Sequence, residues 1–140
     1  DSNTRDFLWE AGVPYRLEIA RVGERPDGFF TWRGSVTDTT TGRVTHIRDL
    51  YSAGAHLRGP VMWIESFAPC DAPRCQVRWS DAEVTMDDGS IRAVTAMRVD
   101  YQPHAAGGCT NTNVVIDNGC FVQRTGQLRT TKAGATISIV

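Results

Sequence analysis

Polar and apolar residues alternate along most of this chain, and segments with helical spacing are almost absent. Residues 13–22 set Tyr15, Leu17 and Ile19 against Arg16 and Glu18. Residues 29–43 put Phe30, Trp32, Gly34 and Val36 on one face, and the Thr41-Gly42 turn leads into 43–52. Residues 60–67 alternate Val61, Trp63, Glu65 and Phe67 with Met62, Ile64 and Ser66, and 75–86 runs to a turn at Asp88-Gly89. Residues 91–101 form the longest clean alternation: Ile91, Ala93, Met97, Val99 and Tyr101 against Arg92, Arg98 and Asp100. Beyond Gly107-Gly108 come three short pieces, 113–116, 120–124 and 135–140. A period of two residues predicts strands, and turn signals every 8 to 12 residues or so predict a sandwich or barrel. The expectation is all-β: one antiparallel two-sheet sandwich of nine or ten strands over 1–140, with 1–6 frayed.

Composition narrows the classes. The chain has 140 residues, enough for one domain with a sizeable core. Its 41% hydrophobic and 22% charged residues are those of a globular protein. A formal net charge of -1 leaves no basic footprint for nucleic acid or an anionic membrane. No apolar run approaches the roughly 18 residues of a membrane span. Arginines outnumber the single Lys132, which favours planar, rigid polar contacts. The chain opens at Asp1 without a methionine, as a chain with its leader removed or a trimmed chain would.

Cysteines stand at 70, 75, 109 and 120. Local pairing, Cys70–Cys75 and Cys109–Cys120, is the favoured one of three connectivities. The first would close a loop with two prolines, and the second a hairpin with Asn118-Gly119 near its tip. A metal site is the rival. His104 precedes Cys109 by five residues, but the tight Cys-x2-Cys or His-x3-His pairs of zinc sites are missing. Disulfides imply an oxidising compartment, and the expectation is a secreted protein.

The chemistry concentrates in 63–84, which holds Trp63-Ile64-Glu65 and Trp79-Ser80-Asp81, with Glu83 two residues on. Residues two apart in a strand share a face, so two indoles and up to three carboxylates are expected on one surface. A bulge near Ser80 would undo that assignment. Trp9 and Trp32, whose faces carry apolar neighbours, are expected in the core. Trp63 and Trp79 each share a face with an acid, and a buried acid needs a partner, so their face is expected to be wet or functional.

The order of several short motifs resembles a family of secreted bacterial domains of unknown function with a concanavalin/laminin-G-type jelly roll. The matching skeleton is Trp9, Gly12, Tyr15, Thr37-Asp38, Thr41-Gly42, Phe67, the Trp79 strand and Asp88-Gly89, over about 7–125. The resemblance implies a jelly-roll fold and a secreted setting. It supplies no reaction.

Three functions fit these residues. The first is carbohydrate binding without catalysis. Trp63 and Trp79 would stack on sugar rings, Glu65 and Asp81 would accept hydroxyl hydrogen bonds, and Arg78 would donate. Trp32, Tyr51, Tyr101, Arg33 and Asn113 are further candidates of the same chemistry. The second is protein binding or inhibition through the 70–75 loop, with Arg74 as anchor. The third is a small glycosidase using Glu65, Asp81 and Glu83. Retaining enzymes set two carboxyls about 5–5.5 Å apart and inverting ones about 6.5–9.5 Å. Asp81 and Glu83 would have Cα atoms about 6.6 Å apart in one strand. The plain alternative for these acids is a solvated face paired with Arg78 and Arg92. No cofactor is expected. Calcium, common in sandwich lectins, would have to use Asp87 and Asp88 of 86–90, which fall short of a calcium loop and read as a turn. The expected partner is a carbohydrate or glycoconjugate, or else a protein.

Overall fold

The computed structural model describes residues 6–139. The expected fraying of 1–6 falls mostly on residues outside that range. Among the described residues there are ten strands and one short 3-10 turn, at His104–Ala106. The protein is all-β, and every strand pairing is antiparallel. The chain divides into two compact units, one ending at Pro60 and one starting at Val61.

The first unit is a meander of three strands, β1 (Tyr15–Glu24), β2 (Phe30–Asp38) and β3 (Val44–Ser52), in the order β1-β2-β3. Its turns are written in the sequence. Pro26-Asp27-Gly28 reverses the chain after β1: Gly28 has φ 79°, and the Asp27 carboxylate accepts from the Phe29 N–H and from the Arg25 guanidinium. Asp38 Oδ1 accepts from the N–H of Thr40 and Thr41, and Gly42 at φ 73° completes the turn into β3. Opposed residues share a face, so Leu17, Val36, Trp32 and Leu50 lie on one side. Arg33, Asp49 and Tyr51 lie on the other. Leu17 and Ile19 remain 62% and 65% exposed on the apolar side.

The second unit is built around β9 (Cys120–Thr125), the middle strand of a sheet ordered β4-β9-β8, with β4 at Gln76–Trp79 and β8 at Thr112–Asp117. Phe121 and Val122 are adjacent in sequence and point to opposite faces, yet both are buried, at 1% and 0% exposure. Both faces of this strand are therefore covered. Two smaller sheets accompany it: β5 (Glu83–Thr85) with β6 (Ile91–Ala93), and β7 (Ala96–Arg98) with β10 (Thr136–Ser138).

Side chains fasten the long connections of this unit. Asn113, buried, donates from Nδ2 to Thr130 Oγ1 and accepts at Oδ1 from the N–H of Thr130 and Thr131. The Arg129 guanidinium donates to the carbonyls of Thr112 and Cys109 and lies 3.8 Å over the Tyr101 ring. The Tyr101 hydroxyl donates to Thr131 O and accepts from the Val114 N–H. Buried polar groups tied this fully define one arrangement of their loops.

Several expectations change here. Cys70 is bonded to Cys109, with Cα atoms 5.5 Å apart, while Cys75 and Cys120 are free thiols. The Cys109–Cys120 half of the local pairing fails on register. With Asn118-Gly119 as the turn, Asp117 faces Cys120 and the ladder runs to Thr112–Thr125, about 17 Å away at 3.4 Å per residue. Cys109 precedes even that far end. Cys75 is held at the start of β4, where its N–H donates to Thr125 Oγ1 and its carbonyl accepts from the Thr125 N–H.

The 91–101 run is two strands, because β6 pairs with β5 and β7 pairs with β10. Residues 61–67 alternate as expected but form no strand. Trp9, expected in the core, is 70% exposed. The turns at Thr41-Gly42, Asp88-Gly89 and Asn118-Gly119 all form as expected.

Candidate functional site

β4 ends at Trp79, and the chain then breaks direction. Asp81 takes φ 53°, a left-handed conformation that Asp tolerates better than most residues. The period of two that linked Trp79 to Asp81 in sequence does not continue through this turn. Even so, both residues line one cleft of about 200 Å³. Val94, Thr95, Phe121 and Ile139 complete most of its wall.

Backbone hydrogen bonds hold the parts together: Val94 N–H donates to Ala82 O at 2.8 Å, and Ile139 N–H to Thr95 O at 2.7 Å. Phe121 sits opposite Trp79 in the β4–β9 ladder. The Trp79 indole N–H donates to Gln123 Oε1 at 3.1 Å, and Gln123 Nε2 donates to Met62 O at 2.9 Å. The indole is thus fixed by its own nitrogen, leaving its ring as the surface it offers. Among the described residues that line the cleft, Asp81 is the only charged one.

The remaining candidates are dispersed. Trp63, 63% exposed, and Glu65, also exposed, lie on the strandless 61–67 segment and outside the cleft wall. Arg78 alternates away from Trp79. Its guanidinium reaches Asp117 Oδ2 at 3.2 Å and Asp117 O at 3.0 Å, and its pKa is raised by hydrogen bonding to Cys120 and then by the charge of Asp117. Arg124 joins the same carboxylate at 2.8 Å. Glu83 opens β5 opposite Ala93, exposed and outside the cleft wall. Of the three carboxylates considered for glycosidase work, only Asp81 lines the cleft.

Asn113 and Tyr101 are committed to the loop fastening already described. Trp32 donates from Nε1 to Gly54 O, and Arg33 is paired with Asp49. The Arg25 guanidinium lies 4.4 Å over the Tyr51 ring. In the 70–75 loop, Asn111 Nδ2 donates to Cys70 O at 2.6 Å. The Arg74 side chain lies so close to Gly126 that a Cβ there would come within 2.7 Å of Arg74 Cγ. Asp88 Oδ1 accepts from the Ser90 N–H, so it closes the 86–90 turn. Among the described residues no group of three or more His, Cys, Asp or Glu side chains could hold a metal ion. No described helix is long and apolar enough to cross a membrane.

Sequence reasoning missed a polar cluster on the first unit. Arg33 donates to both oxygens of Asp49, at 2.9 and 2.8 Å, and His46 Nε2 lies 2.9 Å from Asp49 Oδ1. These contacts, led by that of Arg33, lower the Asp49 pKa to about 2. Residues 46 and 49 are an odd number apart, which in a regular strand sets them on opposite faces. A register shift between Gly34 and Ser35 takes up an extra residue in β3 and brings them together. Gln123, Thr95 and Ile139 were missed as well, since only strand pairing places them at the cleft.

No protein-family model matches the chain, and no curated protein and no solved structure matches it either.

Proposed function

We propose that this protein binds carbohydrate without cleaving it, at the Trp79–Asp81 cleft. The observation that carries the reading is the meeting of Trp79 and Asp81 in the wall of one small, otherwise largely apolar cleft. Sugars present an apolar ring face and outward hydroxyls. A ring face stacks on an indole, and an ionised carboxylate accepts hydrogen bonds from hydroxyls. Cleavage is the weaker reading, since hydrolysis of a glycosidic bond ordinarily needs two carboxyls and one of the three candidates is at hand. Trp63 is a second stacking surface in this proposal, outside the cleft. Glu65 is a peripheral acceptor, and Arg78 drops out as a donor because Asp117 holds it.

The resemblance to secreted jelly-roll domains supports a β-sandwich, and the Cys70–Cys109 disulfide supports an oxidising, secreted setting for this function. A glycan-array screen of the non-reduced protein, with tryptophan fluorescence titration of any hit, tests the function. Saturable binding with a change in indole emission, and the glycan recovered uncut, is the expected result. Recovery of a hydrolysed glycan would make the protein an enzyme, and silence across a broad array would overturn the sugar reading.

A further inference from the structure

The chemistry of the cleft wall goes beyond sugar binding in general, and what it says about the ligand rests on that reading. The indole N–H of Trp79, the natural side-chain donor of the site, is already given to Gln123. Asp81 contributes a carboxylate, which when ionised only accepts. Thr95 contributes a hydroxyl, and Val94, Phe121 and Ile139 are apolar. Among the described residues no lysine, arginine or histidine lines the cleft. The site therefore offers one full negative charge, an aromatic face and no cationic donor. A ligand carboxylate or sulfate would meet Asp81 with like charge and find no guanidinium to compensate it, and such a mismatch is how a site rejects a ligand. Hydroxyls, and still more an ammonium group, complement it.

Size gives a second restriction. Pockets that enclose drug-sized ligands run to about 300–1,000 Å³, and this cleft has about 200 Å³. It accommodates one ring, so it would take the end or a single branch of a glycan and leave the rest outside.

We infer that the Trp79–Asp81 cleft selects a single neutral or amine-bearing pyranose end and rejects acidic sugars such as uronic and sialic acids.

Asp81→Asn is the natural probe, because Asn tolerates the left-handed backbone conformation as Asp does while losing the charge. The experiment measures binding of methyl pyranosides in gluco, galacto and manno configuration, each as the neutral sugar, the 2-amino sugar and the uronic acid. Ligand-observed NMR and tryptophan fluorescence supply the constants, and circular dichroism confirms that each variant is folded. The expected result is neutral and amino sugars binding at least tenfold more tightly than the matched acid, with the gap closing to under threefold in Asp81→Asn. Acids that bind wild-type protein as tightly as the neutral sugars would overturn the inference and leave the sugar reading standing. So would a gap that Asp81→Asn leaves unchanged. Absence of binding by every member of the panel would overturn the sugar reading, and this inference with it.

Discussion

The two units reach the same secondary structure by different means. In the first, three strands of nine or ten residues follow one another, each joined to the next by a short turn. Their pairing is local, and the sheet keeps Leu17 and Ile19 more than half exposed. In the second, the strands have three to six residues, and the central one pairs with β4, some forty positions earlier in the chain. What these strands lack in length is made up by burial of Phe121 and Val122 on opposite faces, by the Cys70–Cys109 bond and by the Asn113, Arg129 and Tyr101 contacts. Strand length is thus a poor guide to where a protein concentrates its core. The unit with the longer strands has the more open face, and the one with the short strands holds the buried residues and the candidate site.

If that contrast is right, truncation should cost most at β9. Phe121→Ala is expected to lose about 3–5 kcal/mol of unfolding free energy. Leu17→Ala, with most of its side chain already in water, should lose less than about 1 kcal/mol. Denaturant titration of both variants compares the units directly, and equal losses would break the comparison.

The disulfide comes next. Replacing Cys70 and Cys109 together by Ser removes a cross-link over 39 residues of sequence and should cost about 2–4 kcal/mol. Cys75→Ser should be close to neutral. Peptide mapping of the unreduced protein would find a 70–109 linked pair; a 70–75 pair would contradict that bond, and a 109–120 pair would contradict the β8–β9 register as well.

Asn113→Ala is expected to cost about 1–3 kcal/mol, because it strands the Thr130 and Thr131 N–H groups that the side chain now satisfies. Proteolysis of the 127–131 segment should accelerate in parallel.

The smallest effect belongs to the first unit and depends on pH. The folded-state Asp49 pKa lies below its ordinary 3.8, at about 2. A depressed carboxylate stabilises the fold fully above its unfolded value, and that contribution disappears as pH falls through the folded one. Stability attributable to Asp49 is therefore complete above about pH 4 and is lost toward pH 2. Asp49→Asn should flatten that part of the acid profile and lower the neutral-pH stability by the same small amount, as befits an ion pair whose arginine is nearly half exposed.

Much of the fold was legible from the chain, for definite reasons. The turns at Thr41-Gly42, Asp88-Gly89 and Asn118-Gly119 are governed by a few neighbouring residues, and each formed where its dipeptide stands. Pairing between distant segments is not encoded in this way. Nothing local in 91–101 tells that Ala93 will face Glu83 while Met97 faces Ile137. The exclusion of a Cys109–Cys120 bond was within reach, since reading Asn118-Gly119 as a two-residue turn already fixes Cys120 beside Asp117; the choice of Cys70 over Cys75 as the partner of Cys109 was not. The candidate site was half legible. Trp79 and Asp81 do come together, although through a break in the strand and not through its pleat. Trp63, Glu65 and Glu83 fell away because their segments do not continue β4.

The most direct test of the account follows the four tryptophan indole N–H signals by two-dimensional NMR while the best-binding glycan is added, with Trp79→Ala used for assignment. If sugar stacks on Trp79, its signal moves progressively to saturation and the Trp79→Ala variant, still folded, loses the binding. Saturable binding that leaves the Trp79 signal in place, or that survives its removal unchanged, would show that sugar is recognised elsewhere and would contradict the central claim.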